Sequence, residues 1–306
     1  MAQLDPDVVH GHGSKGGLYA RLPRLLTTSN KVIRAYTPHG GSFNYQPGSM
    51  LHKIYMKAES LLERATDLYL FESAFIQKSF ETYVGDTTAI KRVVLNGISD
   101  AEFEPVTPNS DAADFFYVGE LRSAKGIDTL IDAIAIARDR SGRRQTAVMV
   151  GSGPDQDALT EQARARGLAH DISFPGAMPA REAFRRGKIL LVPSRAESLP
   201  YVVLEAAGAA VPMVSTNVGG IPEIFGPLAN RLIPCNDAER LAQAMLDMHA
   251  LTQEERLRQA MELRAFVQSR FHISSMADAV INGYRDAMRA KRALGQIMQT
   301  PLRAAL

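Results

Sequence analysis

The chain of 306 residues carries 35 lysines and arginines against 33 aspartates and glutamates, with 45% apolar residues, one cysteine and no tryptophan. At ~100–200 residues per domain this length points to two domains, and a formal net charge of +2 is too small for a general nucleic-acid footprint. Cys235 stands alone, which excludes an intrachain disulfide and a cysteine-built zinc site, and with no apolar run of ~18 residues and no signal peptide the expectation is a cytoplasmic α/β protein.

Short apolar runs alternate with segments of helical period, the pattern of βα units on parallel sheets. Strands are predicted at Asp7–His10, Lys31–Tyr36, Asp67–Phe71 and Arg92–Asn96, with helices over Met50–Arg64 and Ser73–Tyr83. A Pro/Ser/Asp-rich stretch, Glu104–Asp111, then reads as the linker. The rhythm restarts with strands at Asp114–Val118, Thr146–Val150, Ile172–Phe174, Ile189–Val192 and Val211–Ser215, and a helix over Gly126–Asp139. Helices around Ala238–Leu251 and Glu254–Arg270 follow, then an amphipathic helix from Ile273 to Leu294 and a loose tail after Gly295. The domains expected are 1–108, 109–272, and a terminal helix and tail over 273–306 that packs back on the first.

The most informative stretch runs from Glu197 to Ala207. It follows a strand ending in Val192-Pro193-Ser194, and a helix should open near Pro200, where a missing N–H costs nothing. That leaves Glu197 in the loop and Glu205 about two turns inside the helix, whose free N–H groups make a phosphate site. Two carboxylates so placed can bind two hydroxyl-bearing parts of one ligand. Arg122 and Lys125 sit just past a strand and ahead of a helix, where a diphosphate would find its countercharge. Gly151-Ser152-Gly153 follows a strand and admits close approach of a ligand, but Gln156 stands where a dinucleotide fingerprint needs its third glycine. A literal D-x-D at Asp155–Asp157 lies at a helix start, where acidic residues complement the dipole. His10, His12 and His39 fit cleft lining better than a metal centre.

Taken together, Gly119–Gly126, Gly151–Gly153, Phe174-Pro175-Gly176, the Glu197/Glu205 pair and Gly219–Glu223 resemble glycosyltransferase family 4 in order and spacing. Asp7–His12, Thr37–Gly40 and Leu95–Ile98 extend the resemblance over roughly residues 5 to 290. It implies an α/β protein of GT-B fold, two Rossmann-like domains facing across a cleft, and retaining transfer of a sugar from a UDP- or GDP-linked donor without a metal or other cofactor. On that resemblance Arg122 and Lys125 hold the diphosphate, Glu197 the transferred sugar and Glu205 the ribose. His39 lies beside the sugar, Gly176–Met178 beside the base, and Gly119, Gly151, Gly153, Ser198, Leu199, Tyr201 and Val202 line the donor site. Members often carry Arg where this chain has Glu120, leaving Arg122 as the nearest cation. Their first domain also begins with a strand and Gly-rich loop that this sequence lacks. The expectation is therefore an incomplete N-terminal domain. The alternatives that follow are a non-catalytic nucleotide-sugar-binding protein, or one half of a split enzyme whose missing segment comes from a partner chain.

The expected acceptor is a saccharide or lipid-linked hydroxyl, in polysaccharide or glycolipid synthesis. Residues 1–57 carry seven Lys/Arg against Asp5 and Asp7, and residues 281–306 carry Arg285, Arg289, Lys291, Arg292 and Arg303 against Asp286. Basic surface of this kind is compatible with peripheral contact with anionic lipid on the inner face of the membrane.

Overall fold

A computed structural model describes residues 6–26, 31–45 and 47–299. The chain divides into two compact units: residues up to Leu95 together with those from Ser274 onward, and Asn96–Ile273.

The first unit is built from β1 (Val8–His12), α1 (Gly13–Leu26), β2 (Ile33–Thr37), α2 (Met50–Glu63), β3 (Leu68–Phe71), α3 (Ala74–Tyr83) and β4 (Ile90–Val93). All pairings are parallel in the order β1-β2-β3-β4, so the carboxyl ends of three neighbouring strands bring His12, Thr37 and Phe71 to one edge. The sequence reading names no helix over 13–26, a stretch in which Gly13, Gly16, Gly17 and Pro23 lower helix propensity. Tertiary contact overrides that signal. A Cβ on Gly17 would lie 2.2 Å from the Tyr36 ring, so glycine is what lets α1 lie on the sheet. Serines cap the next two helices, Ser49 over the His52 N–H and Ser73 over the Ile76 N–H.

The second unit runs β5 (Ala113–Val118), α4 (Ile127–Ser141), β6 (Ala147–Val150), α5 (Gln156–Ala165), β7 (Ile172–Gly176), α6 (Ala180–Ala183), β8 (Gly187–Val192), α7 (Tyr201–Gly208), β9 (Met213–Ser215), α8 (Ile221–Phe225), α9 (Ala238–Ala250) and α10 (Gln253–Gln268). Its sheet order is β7-β6-β5-β8-β9, all parallel. The chain winds outward through β6 and β7, then crosses to the other side of β5. Ligands of such sheets bind beyond the carboxyl ends at this reversal, which here means the loops after β5 and β8. Residues 104–111 belong to this unit. Val106 donates its N–H to the Ala209 carbonyl and Asn109 to that of Arg185, both at 2.9 Å.

The last helix, α11 (Ile273–Gln299), returns to the first unit. It lays Met276, Val280, Tyr284, Ala287 and Met288 against Ile33, Ala35, Leu68, Leu70 and Val94. It runs past Gly295, where the sequence suggests a stop, since one glycine costs a helix only about 1 kcal/mol. The expected tail beyond residue 299, Arg303 included, lies outside the described residues.

Of the basic residues counted for this unit, Arg24, Arg34 and Lys291 are partly buried, while Lys15, Lys31, Lys53, Lys57, Arg285, Arg289 and Arg292 stay exposed. Arg21 is fully buried against Glu59 at 2.8 Å. Arg24 and Lys291 both bind Asp67 at 3.1 Å. Period and charge counts do not register such pairings, because the partners come from distant elements.

Candidate active site

Beyond β5 the chain passes through Gly119 and Glu120 to Arg122, then makes a short 3-10 turn over Ser123–Lys125 and enters α4 at Gly126. Gly126 has φ 69°, and a Cβ there would sit 2.2 Å from the Pro193 carbonyl oxygen, so the β5 and β8 loops touch through bare backbone. Arg195 braces the same turn. Its N–H bonds to the Ala124 carbonyl at 2.9 Å, and its guanidinium donates to Asp128 at 2.6 Å and Thr129 at 2.9 Å.

This bracing delivers Lys125 to Glu197, Nζ to Oε1, at 2.7 Å. Ser194 Oγ donates to the same oxygen at 2.7 Å. Glu197 is 7% exposed, so a carboxylate that would otherwise be costly to bury has two donors, and both fall on one oxygen. Gly219 and Gly220 press their backbone onto this loop. A Cβ on Gly219 would lie 1.7 Å from the Glu197 carbonyl oxygen.

Glu205 lies on α7, half-buried, and burial pushes its carboxyl above the ordinary range, with the Glu102 charge adding to the effect. Arg122 is half exposed and its Nε meets Glu120 Oε2 at 2.9 Å. The glutamate standing where Arg was expected therefore partners the nearest cation.

Gly119, Arg122, Lys125, Glu197, Pro200, Tyr201, Val202 and Glu205 line one depression of about 340 Å³. A neighbouring depression of about 460 Å³ shares Val118, Gly119 and Glu120 and continues over Gly151, Ser152, Gly153, Ala177 and Met178. Gly151 has φ 144°, and a Cβ on it would meet the Gly119 carbonyl oxygen at 1.8 Å. Gly151→Ala is therefore expected to destabilise the chain by about 1–3 kcal/mol from the backbone alone, read as a lowered melting temperature; an unchanged midpoint would show that the β5 and β6 loops give way.

Among the expected residues, Ser198 and Leu199 do not line either depression. Leu199 is buried, and its carbonyl accepts from Asn96 Nδ2 at 2.9 Å. Gly176 closes β7, bonding its carbonyl to the Gly151 N–H at 3.0 Å. Asp155 and Asp157 flank the start of α5, and no group of three or more His, Cys, Asp or Glu among the described residues is arranged to hold a metal.

In the first unit the imidazoles gather at the carboxyl edge. His12 Nδ1 lies 2.8 Å from His39 Nε2, and His39 Nδ1 lies 2.5 Å from Glu72 Oε2. His10 bridges Tyr284 Oη at 2.7 Å and Thr37 Oγ1 at 2.9 Å, and burial pushes it down to about 3. Ser194, Arg195 and Glu72 are absent from the sequence-based site. The available signal was their position directly after strands, where parallel sheets place function.

Residues 99–265 match the sequence model of the family Glycosyl transferases group 1. The glycogen synthase of Mycobacterium tuberculosis is 30% identical over 301 residues, covering 94% of this chain and 70% of that protein. The D-inositol 3-phosphate glycosyltransferase of Saccharomonospora viridis is 30% identical over 195 residues, 60% of this chain and 45% of its own. In three dimensions, the sucrose-phosphate synthase of Thermosynechococcus elongatus superposes with a TM-score of 0.80 at 21% identity, over 94% of this chain and 75% of its own. Anabaena HepE, solved with UDP and glucose, also gives 0.80 at 18% identity, over 92% and 78%. The chain belongs to the glycosyl transferases group 1 and is a glycosyltransferase with the GT-B fold of two Rossmann-like units.

Proposed function

We propose that this enzyme moves a hexose from a UDP- or GDP-linked donor to a hydroxyl of a saccharide or lipid-linked acceptor, with retention of configuration, as in family 4. The observation that carries this reading is the meeting of Lys125, Arg122, Glu197 and Glu205 around one depression at the sheet reversal. Lys125 and Arg122 take the diphosphate and neutralise the charge that grows as it leaves, the largest contribution to such reactions. Backbone N–H groups of Tyr201 and Val202, at the start of α7, add partial positive charge. Glu197 keeps Oε2 for the hydroxyls of the transferred sugar, since Lys125 and Ser194 occupy Oε1. Glu205 takes the ribose hydroxyls, Gly151 and Gly153 let the phosphates approach backbone, and the Gly176–Met178 turn meets the base. The departing phosphate oxygen takes the acceptor proton on the same face.

Peripheral contact with anionic lipid, near the site of a polysaccharide or glycolipid product, is supported by α2. Its exposed face carries Leu51, Ile54 and Leu61 with Lys53 and Lys57 beside them.

Calorimetric titration with UDP, GDP and ADP tests the donor site. One nucleotide is expected to bind at micromolar concentration, and Glu205→Ala to weaken it about 10-fold or more, the loss of hydrogen bonds to a charged group. No binding by a folded chain would overturn the donor-site reading. Unchanged affinity in Glu205→Ala would remove the ribose assignment.

A further inference from the structure

Arg195 stands two residues before Glu197 in the loop after β8, and by charge alone it would be assigned to the donor diphosphate. Its contacts assign it elsewhere. It lines neither depression, and all three nitrogens of its guanidinium are engaged by the protein. Nη1 donates to the Ser123 carbonyl, Nη2 to Asp128 Oδ2 at 2.6 Å and Thr129 Oγ1 at 2.9 Å, and Nε to Asn236 Oδ1. Its backbone N–H donates to the Ala124 carbonyl at 2.9 Å.

One residue thus holds both carbonyls ahead of Lys125, the first turn of α4 and the loop that enters α9. The Ala124 carbonyl belongs to the planar peptide unit that joins Lys125, so fixing it fixes the direction in which the lysine leaves the backbone. The far end of the clamp is equally defined. Asn236 has φ +57°, a left-handed conformation that asparagine adopts more readily than most residues. A guanidinium only donates, so the Asn236 amide must turn its oxygen toward Arg195. Burial would raise the Asp128 carboxyl, but the hydrogen bond and charge of Arg195 hold it below its ordinary value.

We infer that Arg195 is the positioning residue of Lys125 and that Asn236, at the entry to α9, is its far anchor. This rests on the reading of Lys125 as a cation that takes the donor diphosphate. The role calls for arginine: a planar fork reaches acceptors in three segments at once, whereas the single ammonium of a lysine does not. What the clamp supplies is preorganisation, since Lys125 meets the departing charge without first ordering its turn.

Trace acetylation of the full chain with acetic anhydride, read lysine by lysine by mass spectrometry, tests the clamp directly. In the wild type Lys125, with its side chain 18% exposed and tied to Glu197 at 2.7 Å, should react more slowly than Lys188, whose side chain is 46% exposed. Arg195→Ala and Arg195→Lys should each raise the Lys125 rate relative to Lys188 about 5-fold, the equivalent of one hydrogen bond's restraint. Asn236→Ala should raise it by less. An unchanged Lys125 rate in folded Arg195→Ala would overturn the inference; if that variant does not fold, Arg195→Lys decides. Transfer from a sugar donor of the nucleotide chosen by calorimetry gives a second arm. Arg195→Ala should lower kcat about 10-fold, the cost of a misplaced group, with KM little changed. In a Lys125→Ala background it should add nothing, and additive losses would overturn the inference. The labelling needs no nucleotide. A Lys125 freed by Arg195→Ala, with kcat unchanged in Lys125→Ala, would keep the clamp and remove Lys125 from the donor reading.

Discussion

Lys125→Ala is expected to lower kcat by about 10²–10³-fold, the cost of removing one preorganised group from the charge that develops on a leaving diphosphate. The ammonium is unusually well held for a loop cation: a 3-10 turn presents it, Arg195 braces the turn, and Glu197 anchors it at 2.7 Å. It therefore needs no reorganisation at the moment of departure. Arg122 does not replace it, because its half-exposed guanidinium is less firmly held than the partly buried ammonium of Lys125. The substitution also removes one of the two donors on the Glu197 carboxylate, so thermal melting and nucleotide calorimetry must accompany the kinetics. The expected pattern is a folded chain, nucleotide affinity reduced less than kcat, and a loss that Lys125→Arg restores in part. An unchanged kcat would remove Lys125 from the chemistry and leave its pair with Glu197 as a structural tie.

Glu59→Ala should be among the most destabilising single changes in the first unit. Arg21 is fully buried, with Nη1 on Glu59 at 2.8 Å, Nε on the Gly17 carbonyl at 2.9 Å and its guanidinium 3.6 Å from the centre of the Tyr36 ring. Tyr36 Oη donates to the other Glu59 oxygen at 3.0 Å, and burial, then the Glu59 charge, pushes that phenol well above its ordinary value. Arg21 Nη2 already lacks a partner. Removing Glu59 leaves a buried guanidinium without countercharge, at about 3–5 kcal/mol, or a fall in melting temperature on the order of 10 °C. Replacing the charges together, Arg21→Met with Glu59→Leu, should cost less than Glu59→Ala alone, since apolar residues of similar volume avoid the desolvation penalty. A double variant less stable than the single one would show that the pair contributes net stability.

The two expectations differ in how far the sequence could support them. Lys125 and Glu197 are both visible as residues after strands, whereas Arg21 reads as one more surface cation until α1 is seen to lie under Tyr36 through Gly17. Leu199 is the opposite case: the family resemblance implies that it lines the donor site, and the fold turns its side chain into the core.

The sequence by itself determined the succession of βα units after residue 31, the helix opening near Pro200 and the loops that carry Gly119, Arg122, Lys125, Glu197 and Glu205. These follow from local information: a period of two or 3.6, and Gly or Pro where a strand ends. Only the tertiary structure decided which group answers which. Lys125 meets Glu197 across 72 residues, Arg21 meets Glu59 across 38, and His39 meets Glu72 across 33 and His12 across 27. Such pairs depend on strand order, because β5 and β8 become neighbours only when the chain crosses back over its own sheet, and no local pattern records that crossing.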